Sequence, residues 1–458
     1  MTTTADRPQP VLTHPPPPSA PPVTWAALRP LVLRIHFYAG VFVAPFLVVA
    51  CLTGLAYVFS PQLSDAIYAD ELLVGAHSGP VLPLDTQIAA ALATQPEGTL
   101  SSVVVQSDPD RTTAVVLAVP GLAADVERTV YVDPYTGQVR GALDTWFDAP
   151  PVQTLLDGLH RNLLLGEPGR LYSELAASWL PVLVLGGLAL WIGKRRSRRK
   201  VAATLLAPLG MRPGRARMMG WHGSMGIWLA LALLFISATG LTWSHYAGER
   251  FSAAVVAVHG SSLQLAAEPV PVRDVGRVAV QTAVDAGRDA GLADLLKVTV
   301  PAEPGAPFTV SEDADTWPVQ RDAVAVDPYT GQITETVRWR DYPLMAKLTR
   351  IGILAHMGSL FGLVSQLALT AMAVGLLCVL FWGYRMWWQR RPTRQGRMSR
   401  TAPAPRGVLR GLSQPVVFVI VLITVAVGWA IPLLGISLLI FLATDVAVGA
   451  ATIRMRSA

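Results

Sequence analysis

Cysteine is almost absent. The 458-residue chain carries two, Cys51 and Cys378, both inside apolar runs, so no disulfide framework is open to its aqueous parts. No C-x-x-C-H run is present for covalent haem attachment. No G-x-G-x-x-G follows a strand and opens a helix, so no NAD or flavin site is evident. Charge is scarce as well: 15% of residues are Asp, Glu, Lys or Arg, against 52% hydrophobic. That balance excludes an ordinary soluble domain and points to an integral membrane protein with some aqueous mass attached. The first 22 residues, with "HPPPPSAPP", lack the basic, apolar and cleavable parts of a signal peptide and read as a disordered tail.

What is present in quantity is apolar length. Six stretches of spanning or near-spanning length lie near 34–59, 172–192, 221–244, 354–384, 413–430 and 433–450. A hydrocarbon core of about 30 Å takes roughly 20 helical residues. The last two stretches are short and adjoin, so they read as a helical hairpin. The first, "HFYAGVFVAPFLVVACLTGLAYVF" (36–59), opens with a histidine in its first turn.

The formal net charge of +6 would suit nucleic acid, but its placement argues for topology instead. Residues 193–220 hold nine Lys or Arg, and 385–410 hold eight, whereas 60–170 hold five. Basic residues collect in cytoplasmic loops. Both termini are therefore expected inside and two large loops outside, with membrane lipid and no nucleic acid as partner.

The chain repeats itself. "YVDPYTGQVRG" (131–141) returns as "AVDPYTGQITE" (325–335), and the first span returns as "HGSMGIWLALALLFISATGLTWSH" (222–245). His36 falls on His222, and Thr53-Gly54 on Thr239-Gly240. The segment 159–196 corresponds loosely to 355–391, placing His160 on His356. Each unit is helix, external domain, helix, and the terminal hairpin is an addition. Within each external domain a helix (83–96; 274–290) precedes short Val/Thr-rich strands: "LSSVVVQ", "TTAVVLAV" and "ERTVYVD", then "LLKVTVP", "PFTVSE" and "DAVAVDPYTGQ". "DPYTGQ" is a turn, because Asp bonds its own backbone, Pro presets φ and Gly takes positive φ.

Of the eight histidines, His14 and His77 fall in polar segments. His36, His160, His222 and His356 are the repeat-related set; His245 closes the third span. Any one alone reads as an interfacial imidazole bonded to water. Four at membrane depth are costly and mark a functional path. Two repeats would place one pair at each leaflet, and a facing pair of neutral imidazoles is an axial ligand set for haem. Copper or zinc also accepts histidine but asks for further ligands, and no carboxylate or thiol accompanies the pairs in sequence. Arg34, Arg161 and Arg217 lie close to His36, His160 and His222, where they could pair with propionates. Gly40, Gly54, Gly223, Gly226 and Gly240 leave room for close approach.

The histidine-led first helix, the doubled "DPYTGQ" domains and "LHRNLLLGEPGR" (159–170) resemble, as a set, the PepSY-associated transmembrane family over about residues 30–390. Members of that family include iron-regulated inner-membrane proteins and ferric-siderophore reductases, some with two b-type haems. The resemblance implies a multi-pass protein of the bacterial cytoplasmic (inner) membrane with two extracytoplasmic PepSY modules. It further implies electrons passing outward to a ferric siderophore or other Fe(III) chelate, with release of Fe(II). The donor would be quinol or a cytoplasmic reductase.

The expected fold is thus a polytopic α-helical membrane protein: six spans, an internal two-fold repeat and two small α+β PepSY-like domains. A tail (1–30) leads to span one (31–60), domain one (61–150), an amphipathic segment with span two (151–196) and a basic loop (197–220). Span three (221–245), domain two (246–343), span four (344–391), a second basic loop (392–411), the hairpin (412–450) and the C-terminus (451–458) follow. His36 with His222 and His160 with His356 are the expected ligands of two haem b groups, with His245 as the alternative outer ligand. The rival reading is a membrane-anchored PepSY module that binds peptides or regulates an external protease.

Overall fold

The computed structural model describes residues 25–75, 79–193, 205, 210–293, 295–312, 314–389 and 412–457. His14, His77, much of the first basic loop and nearly all of the second lie outside them. The first described element is α1 (Trp25–Val58), which includes Trp25–Pro30, the last part of the expected disordered tail. His36 therefore sits about three turns into the helix, not in its first turn. Pro45, inside this helix, cannot donate to the Val41 carbonyl, and the Tyr384 hydroxyl supplies that bond at 2.7 Å.

Two short helices, α2 (Ser60–Ile67) and α3 (Ala69–Leu72), lead to α4 (Leu84–Thr94) and strands β1 (Thr99–Val105), β2 (Thr113–Ala118), β3 (Val126–Val132) and β4 (Val139–Trp146). Then come α5 (Pro151–Asn162) and the long α6 (Glu167–Ile192). The second set follows the same order: α7 (Arg215–Leu241), α8 (Tyr246–Ala257), α9 (Val280–Asp289), β5 (Leu296–Thr299), β6 (Phe308–Glu312), β7 (Ala323–Val326) and β8 (Ile333–Val337). It closes with α10 (Leu344–Met357) and α11 (Leu363–Trp388), before α12 (Gln414–Ala430) and α13 (Pro432–Ser457).

Among the described residues five helices are long and apolar enough to cross a membrane: α1, α6, α7, α11 and α13 through Ala451. The fifth expected span, α12, is a shorter apolar helix of 17 residues. The fourth differs in another way. Gly358, at φ 86°, ends α10 in a left-handed cap, so the apolar run 354–384 is broken and His356 lies on a separate short helix. Helices α1, α6, α7 and α11 each pack on two of the others around a core of Val43, Leu47, Trp179, Leu180, Leu183, Leu233 and Leu376.

The two domains expected outside the membrane are not separate. Their eight strands form one antiparallel sheet in the order β4-β3-β2-β1-β5-β6-β7-β8. The join is β1 on β5, with Val103 opposite Val298 and Val104 opposite Lys297. Val103, Val115, Val130, Val298, Val310 and Val324, all fully buried, share one core with Ile88 of α4 and Val284 of α9. Burying each such side chain is worth about 1.5–3 kcal/mol, so the shared core is a large part of what holds both halves. The helices also cap one another: Leu84 N–H donates to Gln281 Oε1 (3.3 Å) and Val280 N–H to Asp85 Oδ1 (3.2 Å). Each half holds four strands, the fourth following the "DPYTGQ" turn.

Those turns form as their residues dictate. Asp133 Oδ1 accepts from Tyr135 and Thr136 N–H, Asp327 Oδ1 from Tyr329 and Thr330 N–H, and Gly137 and Gly331 both take φ 72°. Burial alone would raise the Asp327 carboxyl; the two N–H bonds and nearby Arg273 bring it below its ordinary value instead.

Candidate functional site: two facing histidine pairs

The four repeat-related histidines meet in two pairs. His36 on α1 faces His222 on α7, with ring centres 6.3 Å apart. His160 on α5 faces His356 on α10 at 6.5 Å. The second pair lies beside the sheet, and the first lies at the far end of the bundle. Gly54, which touches the His160 ring, follows His36 by 18 residues. The pairs are therefore about 27 Å apart along α1, close to a hydrocarbon thickness.

Each ring is held through Nδ1. His36 donates to the Leu183 carbonyl (2.9 Å) and His222 to the Val379 carbonyl (3.0 Å). A carbonyl only accepts, so Nδ1 carries the proton and Nε2 keeps its lone pair. His160 and His356 meet Thr53 and Thr239 Oγ1 at 3.0 and 2.9 Å. Those hydroxyls spend their own protons on the Val49 and Phe235 carbonyls one turn back (2.8 and 2.9 Å), so they too accept from Nδ1. All four Nε2 atoms are left as lone-pair donors, the arrangement that prepares histidine as a metal ligand.

Glycine supplies the space around the rings. A Cβ on Gly54 would lie 3.1 Å from His160 Cε1, one on Gly240 3.1 Å from His356 Cε1, and one on Gly187 3.1 Å from His36 Cε1. Gly187 and Gly383, beside His36 and His222, were not among the glycines singled out in sequence; they occupy matching positions in the two repeats. Gly40, Gly223 and Gly226 touch none of the four rings.

The spacing tests whether one iron fits between each pair. A metal–imidazole bond is about 2 Å, and the ring centre stands about 1 Å behind the nitrogen, so two imidazoles sharing a metal have centres about 6 Å apart. Both pairs match. Among the described residues no third His, Cys, Asp or Glu joins a pair to make a three-ligand set. Two axial ligands are what a macrocycle with four nitrogens of its own requires. The cavity between His160 and His356 suits an apolar ring: Leu47, Cys51, Leu180, Leu233, Ile236 and Leu376 line it. Its charged side chains are Asp157, Arg161, Arg170 and Glu174, and Tyr57, Ser173, Ser237, Ser244 and His245 add polar groups.

The remaining expected residues are placed as follows. His245 does not close the third span, because α7 ends at Leu241; it precedes α8, packs edge-on against Tyr246 and lies 3.9 Å from Glu249. The ring facing His356 is that of His160. Trp243 stacks on His356 at 6.3 Å. Arg161 lies over Trp146 and pairs with Asp157 at 3.4 Å while lining the cavity. Arg217 is half-buried in the first turn of α7. Arg34, two residues from His36 and so on another face of α1, is buried and pairs with Asp445 of α13. Buried Glu174 accepts from Tyr246 and Ala247 N–H at the start of α8 (3.1 and 2.9 Å). Glu174 and Asp445 escaped sequence reasoning because their partners lie on other elements; Asp157, one turn before Arg161 on α5, escaped it because the cavity it lines is built from other helices.

A family profile described as "PepSY-associated TM region" matches residues 33–390, which takes in all four histidines and both halves of the sheet. No curated protein matches the chain.

Proposed function

This chain belongs to the PepSY-associated TM family, and from that premise we propose that it is a haem-b electron carrier of the bacterial cytoplasmic membrane. In this reading His36 with His222 hold one haem on the cytoplasmic side, and His160 with His356 hold a second on the external side. The observation that carries it is the matched geometry of the two pairs: about one iron's width apart, every Nδ1 engaged, every Nε2 free. Haem held by these two pairs would supply reversible one-electron chemistry.

The chain's own residues do the rest. Leu183 and Val379 carbonyls, with Thr53 and Thr239, fix tautomer and ring direction. All four rings are half-buried, and in this reading their separation of about 27 Å along α1 sets the two pairs at opposite leaflets. The external acceptor in this reading is a ferric siderophore or other Fe(III) chelate, released as Fe(II). The donor is quinol or a cytoplasmic reductase. Basic residues in 193–220 and 385–410 support a cytoplasmic position for those loops and both termini.

The absorption spectrum of the purified protein tests the reading. A red preparation whose pyridine haemochrome reports two b haems per chain is expected. A colourless preparation from haem-replete cells overturns it, leaving a membrane-anchored module that binds peptides or regulates an external protease.

A further inference from the structure

The family match ends at residue 390, yet α13 lies against the bundle with one stripe. Leu434, Ser437, Phe441 and Asp445, three or four residues apart, face the same way, and each has a partner there. Leu434 is buried in the bundle core, and Ser437 Oγ accepts from Trp179 Nε1 at 2.9 Å. Phe441 lies 6.2 Å from the Tyr38 ring, and the Asp445 carboxylate pairs with Arg34. The other sides of α13, with Ile436, Leu439, Ile440 and Val446, are exposed as lipid-facing residues are.

Arg34 is the notable member. It is buried, its guanidinium stands over the Tyr38 ring at 5.4 Å, and it precedes His36 by two residues, a rise of about 3 Å. An uncompensated charge at that depth would act on His36–His222 through a medium that screens it poorly.

We propose that the terminal hairpin is part of the His36–His222 site: Asp445 neutralises Arg34 and so sets the reduction potential of the group that pair holds. This rests on the haem reading. It makes Asp445 and Arg34 positioning residues acting by charge, and the signs follow. Removing the carboxylate makes the surroundings of the pair more positive by one charge, which favours Fe(II), so Asp445→Asn shifts the potential of that haem upward. Removing the guanidinium makes them more negative by one charge, which favours Fe(III), so Arg34→Gln shifts it downward. Removing both returns it toward the starting value.

The test is a redox titration of the full-length protein in lipid nanodiscs, following the two haems separately in the wild type, Asp445→Asn, Arg34→Gln and the double variant. Asp445→Glu and Arg34→Lys, which keep the charges, are included against misfolding. Opposite shifts in the two single variants, recovery in the double variant and an unmoved second haem are expected. If the single variants lose the first haem outright, its return in the double variant supports the pairing equally. Shifts of the same sign, or no shift with both haems retained, overturn this inference and leave the haem reading standing. A wild type without haem overturns both.

Discussion

The Thr53 hydroxyl and His160 Nδ1 meet at 3.0 Å, and the hydroxyl's own proton is committed to the Val49 carbonyl. The threonine is therefore an acceptor, and it fixes the proton of His160 on Nδ1 and leaves Nε2 its lone pair. Thr53→Val keeps the shape and removes the acceptor. Loss of such a supporting bond weakens metal retention by about 10–100-fold. Haem transfer to a scavenging apoprotein should accelerate for the His160–His356 site alone, and Thr53→Ser should behave as wild type.

Gly240 offers a second handle on the same pair. A Cβ there lies 3.1 Å from His356 Cε1, and a branched side chain has nowhere to go without turning the ring. Gly240→Val should lower the haem content from two per chain to one. Retention of both haems in a folded Gly240→Val protein would show that the ring has freedom the packing does not suggest.

The two sites should be separable. His222→Ala should remove the haem between α1 and α7 and spare the other, while His356→Ala should do the reverse, because one remaining imidazole holds haem poorly. Simultaneous loss in either variant would mean that the pairs do not act independently.

His245→Ala should retain both haems. Its ring pairs with Glu249, and the position facing His356 is taken by His160. Loss of the sheet-proximal haem in His245→Ala, with retention in His160→Ala, would reverse that assignment.

Reporter fusions within 193–215 and 392–410 should report cytoplasm, and fusions near residues 100 and 300 should report the outside. The shared sheet makes the last two inseparable, since β1 and β5 pair and must lie on one side. A fusion near 300 that reports cytoplasm would contradict the fold as well as the topology.

The pairing of the histidines was legible because each repeat carries its own histidine at the same place, so aligning the copies aligns the histidines. The Thr-Gly dipeptides were visible in the same alignment, although nothing in one dimension shows that the threonine bonds an imidazole on another helix. The joined sheet was not legible. Strands "LSSVVVQ" and "LLKVTVP" carry the pattern of any half-buried strand, and which edges meet is decided by where the helices bring them. The break at Gly358 was hidden because apolar residues flank it on both sides. Arg34 pointed toward propionates only while its helical face was ignored; Asp445 lies 411 residues away.

The count of residues between His36 and Gly54 is the same as between His222 and Gly240. Between the copies, by contrast, His36 and His222 are offset by 186 residues, and His160 and His356 by 196. None of the extra length falls within the stretch of α1 or α7 that joins the two pairs. A residue added within α1 would turn one end by about 100° against the other and send a ring out of its slot, whereas a residue added to a loop changes nothing at either pair. The helices act as a ruler and the loops as slack, so the half of this protein that carries the sheet is free to be remodelled while the distance between its two histidine pairs stays constant.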